Sequence, residues 1–95
     1  MAYCTYILAS KKRGTLYVGV TNDLPNRVLQ HKAGTGSTFT RRYNVHRLVY
    51  YEQYDDVRDA IQREKSLKRY ARAWKINLIE ENNPDWRDMS DDFTA

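Results

Sequence analysis

Two runs rich in β-forming residues open this 95-residue chain, "YCTYILAS" at 3–10 and "TLYVGVT" at 15–21, joined by the turn-forming "KKRG". Alternating residues on either side of a short polar turn make an antiparallel hairpin. That start constrains everything after it, because an isolated hairpin is marginal in water and the rest of the chain has to cover its faces. In the second run Leu16, Val18 and Val20 share one face, so Tyr17 and Gly19 share the other. Gly19 leaves space beside the phenol, for a helix or for a ligand.

The following segments supply the cover. In "NDLPNRVLQHKAG", 22–34, Asn22 or Asp23 can cap a helix, Pro25 suits its first turn and Gly34 can close it, with Leu24 and Val28 facing the core. The glycine-containing and then basic "GTGSTFTRRYNVH" reads as a loop, and "RLVYYEQY" as a third strand. A second helix begins after Asp55 or Asp56 and runs through "VRDAIQREKSLKRYA"; a further helical stretch, "RAWKINLIEEN", ends near Asn83-Pro84. Strand, strand, helix, strand, helix, helix describes an α+β domain, a small sheet covered by helices.

Charge is unevenly distributed. Residues 1–47 carry eight Lys or Arg against the single acid Asp23, whereas 48–95 carry eight against eleven acids. The acids Glu80, Glu81, Asp85, Asp88, Asp91 and Asp92 gather at the end, so residues 89–95 read as an acidic tail on a basic body spanning 1–88. Such a body expects an anionic partner, above all nucleic acid. The chain has no apolar run long enough for a membrane span and no secretory leader pattern, which makes the cytoplasm the expected location. Cys4 stands alone, as a small buried hydrophobe of the first strand, and no Cys/His spacing suggests zinc.

Two helical patterns carry chemistry. In the second helix Val57, Ala60, Ile61, Leu67 and Ala71 form the apolar stripe, and Glu64 falls within it. A carboxylate so placed has to be paired, protonated or bound to metal. It is either the partner of Arg63, Lys68 or another cation, or a metal ligand or catalytic acid. In the first helix Arg27 and His31 stack four residues apart, and a guanidinium grips phosphate through two parallel hydrogen bonds. Tyr6 and Tyr17 can meet on one face of the hairpin.

Tyr6 preceded by Cys4-Thr5, then Tyr17-Val18-Gly19, Arg27 and His31 on one helix and Glu64 on a later one, together resemble the GIY-YIG nuclease domain over residues 3–88. "GSTFTRRY" and "NPDWRDM" are similar to segments of its small single-domain members. The resemblance implies a three-stranded antiparallel sheet flanked by helices, and metal-dependent cleavage of DNA, with repair or recombination as the setting. It implies Tyr6 and Tyr17 as the motif tyrosines, Arg27 as the phosphate-binding arginine, His31 as an accompanying histidine and Glu64 as the sole carboxylate for Mg²⁺ or Mn²⁺. Tyr6 is favoured as the group handling the water's proton and Tyr17 as an orienting hydroxyl. The first motif departs from Gly-Ile-Tyr at Cys4 and Thr5, the second replaces isoleucine with Val18, and the role of the family's later asparagine stays open between Asn77 and Asn83, neither of which aligns with it.

DNA contact is expected from Arg27, from Arg41, Arg42 and Arg47 with Phe39 and Tyr43 interleaved, and from Lys68, Arg69 and Arg72. So short a chain has no spare domain for base reading, which favours structure-directed or non-specific cleavage. Two other readings keep the same scaffold: a non-catalytic nucleic-acid-binding module, and a nuclease module that takes substrate recognition from a partner protein.

Overall fold

A computed structural model describes residues 2–93. Its elements in chain order are β1 (Tyr3–Ala9), β2 (Leu16–Thr21), α1 (Leu24–Lys32), α2 (Thr38–Arg42), β3 (Arg47–Tyr54), α3 (Val57–Arg69), α4 (Arg72–Asn82) and a terminal 3₁₀ turn at Met89–Phe93. β1 lies between β2 and β3 and pairs antiparallel with both. Opposite Tyr6 stand Gly19 on β2 and Tyr51 on β3. A bulge between Ile7 and Leu8 shifts the β3 register, so that Val49 and Tyr50 enter the same core.

The central strand is buried on both faces, which is why its sequence reads as an almost unbroken apolar run. On one face Ile7, Ala9 and Val18 pack with Leu67 of α3, Ile79 of α4 and Trp86. On the other Cys4, Tyr6, Leu8 and Leu48 pack with Leu24 and Val28 of α1 and with Val45. Each large side chain sealed in this way contributes about 1.5–3 kcal/mol. The sheet is thus sandwiched between α3–α4 and α1–α2, and β2 is left as an edge strand that both helical layers flank.

Local signals set the helix ends. Asp23 Oδ1 accepts from the Asn26 amide at 3.3 Å, and Asp56 Oδ1 from the Arg58 amide at 2.8 Å. Gly34, at φ +80°, follows α1 in the left-handed conformation that an L side chain rarely adopts. Among the described residues no helix is long and apolar enough to cross a membrane.

Three expectations change. The loop at 34–46 contains a helix, α2, because Ser37 Oγ caps the Thr40 amide at 3.1 Å. The stripe on α3 is narrower than its letters suggest: Ala60 and Leu67 are sealed, but Val57, Ile61 and Ala71 are exposed. Residues 89–93 are not a free tail, because Met89 and Phe93 pack on the α1-side core and Phe93 meets the Tyr51 ring at 5.8 Å. Residues 94 and 95 of the expected tail lie outside the described residues.

Candidate active site

Tyr6 is one of the most deeply buried large side chains, 1% exposed, and its ring lies directly across Gly19. A β-carbon at Gly19 would come within 2.5 Å of Tyr6 Oη and 2.6 Å of Cζ. The space beside Tyr17 is therefore not an open groove, as the sequence suggested. It is filled by the first tyrosine, and the missing side chain is what allows a phenol to be laid flat over the neighbouring strand. Tyr17 is half-buried and lines a groove; its ring centroid is 6.4 Å from that of Tyr6 and 5.4 Å from that of His31.

Behind the phenols a chain of hydrogen bonds runs inward. Tyr6 Oη lies 3.0 Å from His31 Nε2, and His31 Nδ1 lies 2.9 Å from Thr40 Oγ1 at the start of α2. His31 and Thr40 are each 1% exposed. Burial, with the nearby Arg27 cation, pushes the imidazole down to about 4, so His31 is neutral at physiological pH. Burial raises the Tyr6 phenol against the opposing pull of Arg27, so Tyr6 keeps its proton at rest. The Arg27 guanidinium donates from Nη1 to Gln30 Oε1 at 3.1 Å, and hydrogen bonding toward the Tyr6 and Tyr17 phenols, together with their charge, raises its own pKa.

Glu64 approaches from α3, on the opposite side of the sheet. Its carboxylate is 17% exposed and 3.4 Å from Lys68 Nζ, one turn on. Arg63 is not its partner: that guanidinium grips Glu52 of β3 at 2.9 and 3.1 Å, with the Tyr50 and Tyr54 hydroxyls on the same carboxylate. The negative charge of Glu64 adds a minor contribution to those that keep the Tyr6 proton in place. Thr5 reinforces the arrangement, since its Oγ1 donates to the Ala60 carbonyl at 2.7 Å, one turn before Glu64.

Two grooves open on this edge. One, of about 490 Å³, is lined by Arg27 and Gln30 of α1 and by Val57 and Ile61 of α3. The other, of about 300 Å³, is lined by Tyr17, Phe39, Lys68 and Lys75. Along α3 Glu64 lies between Ile61 of the first groove and Lys68 of the second. Phe39 extends the aromatic surface, 6.0 Å from Tyr17 and 4.9 Å from Tyr43.

The expected DNA contacts divide. Arg41, Arg42 and Arg69 are exposed, and Lys68 stands at the groove beside Glu64. Arg47 and Arg72 have other partners: Arg47 Nη1 donates to the Trp86 carbonyl at 3.1 Å, and Arg72 Nη2 to the Arg13 and Gly14 carbonyls at 2.5 and 2.7 Å. Both are thereby tied into the fold as well. Asn83 is also structural, bonded to the Val49 and Arg87 carbonyls and to the Arg87 amide, while Asn77 lines a separate shallow groove with Trp74. Thr40 escaped sequence reading; its signal was the Ser37-x-x-Thr40 spacing at a helix start.

Comparison with known proteins bears on this arrangement. A family model described as the GIY-YIG catalytic domain matches residues 2–77. A UPF0213 protein of Staphylococcus aureus is 42% identical over 69 residues, covering 72% of this chain and 83% of the relative. One from Staphylococcus saprophyticus is 36% identical over 70 residues, covering 74% and 85%. The solution NMR structure of the UPF0213 protein BH0048 from Bacillus halodurans superposes with a TM-score of 0.57 at 28% identity, covering 94% of each chain. With the motif residues on the elements that the resemblance implied, the chain belongs to the GIY-YIG catalytic domain family, a family of nucleases.

Proposed function

We propose that this domain is a divalent-metal-dependent endonuclease that hydrolyses DNA phosphodiester bonds, structure-directed or non-specific in its choice of substrate, and acting in cytoplasmic DNA repair or recombination. The observation that carries the reading is the convergence on one sheet edge of Arg27, a phenol hydrogen-bonded to a neutral imidazole, and a lone carboxylate from the opposite layer.

The carboxylate suits its role chemically. Among the described residues no group of three His, Cys, Asp or Glu forms a metal cage. A single partly buried carboxylate fits a hard cation that keeps several waters and takes phosphate oxygens, as Mg²⁺ and Mn²⁺ do. Glu64 would hold it, relinquishing Lys68. A bound cation would add positive charge at the scissile phosphate. Arg27 would stabilise the charge that develops on the phosphate oxygens, an interaction stronger in the transition state than in the ground state. Tyr17, on the groove, orients the attacking water. The proton's destination is the pair behind it, where His31 Nε2 can accept the hydrogen of Tyr6 as the phenol oxygen takes one from the groove side. Arg41, Arg42 and Lys68 would hold the strand, and Phe39 and Tyr43 would stack on its bases.

Nicking of supercoiled plasmid and branched DNA, with Mg²⁺, Mn²⁺ or EDTA, tests this beside Glu64→Ala purified in parallel. Metal-dependent cuts that disappear in a folded Glu64→Ala protein are expected. Retained cleavage by that variant would overturn the role of Glu64. Salt-sensitive DNA binding without any cleavage would turn the reading into that of a binding module.

A further inference from the structure

His31 is a buried imidazole with both ring nitrogens engaged, so the direction of one bond sets the direction of the other. Its Nδ1 meets Thr40 Oγ1 at 2.9 Å. The Thr40 hydroxyl has a single hydrogen, and it lies 3.2 Å from the Ser37 carbonyl, a group that can only accept. That carbonyl also accepts the Arg41 amide at 3.2 Å and keeps a second lone pair for Thr40; with Thr40 donating there, its lone pairs face His31 and Nδ1 carries the proton. Nε2 is then a bare acceptor facing Tyr6 Oη. In the opposite tautomer Nε2–H would donate to Tyr6, and the Tyr6 oxygen would face two donors, His31 and the Arg27 side.

The surroundings hold this bond in place. Ser37 Oγ caps the Thr40 amide at 3.1 Å and lies 3.1 Å from Thr40 Oγ1, fixing the hydroxyl at the first turn of α2. Gly36 packs against the imidazole, where a β-carbon would come within 2.4 Å of Nδ1.

The geometry points to Thr40 as a positioning residue: it fixes His31 in the Nδ1–H tautomer, so that the Tyr6 hydroxyl donates inward and its lone pairs are left toward the site. The helix that presents Arg41 and Arg42 thereby also sets the proton acceptor of the chemistry. The consequence for turnover rests on the nuclease reading above; the tautomer does not.

The test is ¹⁵N NMR of the His31 ring nitrogens at pH 7 in the full-length protein, in Thr40→Val and in Thr40→Ser. Plasmid nicking of each is measured in parallel. Expected are a protonated Nδ1 and bare Nε2 in the parent protein, retained in Thr40→Ser. Thr40→Val should transfer the proton to Nε2 and lower kcat about tenfold or more with KM for DNA unchanged, and Thr40→Ser should restore both. A protonated Nε2 in the parent overturns the assignment, as does a Thr40→Val protein that keeps the parent tautomer. If Thr40→Val does not fold, the parent and Thr40→Ser spectra decide the tautomer, and a Thr40→Ser protein with Nε2 protonated overturns it. If the parent protein cuts no DNA, the spectra still decide the role of Thr40, and only the nuclease reading falls.

Discussion

A methyl group at position 19 has nowhere to go, since Tyr6 Oη and Cζ occupy its place at 2.5 and 2.6 Å. Gly19→Ala should therefore cost about 1–3 kcal/mol in urea unfolding, the usual range for overpacking, and displace the phenol from His31. Loss of the Tyr6–His31 bond would show as a changed pH dependence of cleavage. His31 makes a second residue-scale prediction. Its native acidity near 4 lies below the ordinary value of 6.5, so between these limits the unfolded chain binds the proton and the folded one does not. Stability attributable to His31 is complete above pH 6.5 and declines toward pH 4. At pH 5 the loss is roughly 2 kcal/mol. Urea unfolding at pH 7 and pH 5 should show a smaller decline in His31→Gln than in the parent; equal declines would remove His31 from the account.

At the scale of elements, one hydroxyl adds a polar tie to the apolar packing of α3 on β1. Thr5→Val keeps the shape and deletes the 2.7 Å bond to the Ala60 carbonyl, which should lower stability by about 1 kcal/mol. Because that carbonyl stands one turn before Glu64, the same substitution should depress kcat, with Thr5→Ser restoring it. The strands, α1, α3 and α4 were legible in the sequence, because period-two and period-three-to-four patterns ended at Asp23, Gly34, Asp56 and Asn83. The motif tyrosines, Arg27, His31 and Glu64 were legible as residues, and their assembly was not. Glu64 comes from the layer across the sheet, and nothing in letter spacing shows that two layers meet around an edge strand. α2 has five residues, too few for a periodicity. Charge alone also does not reveal where a guanidinium ends: the letters show Arg47 and Arg72 as cations and do not show that both hold backbone carbonyls.

For the whole molecule, the family match ends at residue 77, but the cores do not. Ile79 and Trp86 are fully buried on the α3 side, and Met89 and Phe93 close the α1 side. Residues 1–77 alone should expose both cores, giving dye binding to apolar surface, loss of near-ultraviolet dichroism and little loss of helix and strand signal. A cooperative unfolding transition with native dichroism in that fragment would show that the later residues are dispensable.

The acids of the closing segment have a separate consequence. Glu80 engages Arg13 at 3.0 Å and Asp88 engages Lys32 at 2.6 Å, and neither cation lines either groove on the β2 edge. On the nuclease reading, the segment would act as insulation, quenching attraction at places where a polyanion would gain nothing from landing and leaving the field of the basic half directional, so that an approaching strand would be turned toward the β2 edge before contact.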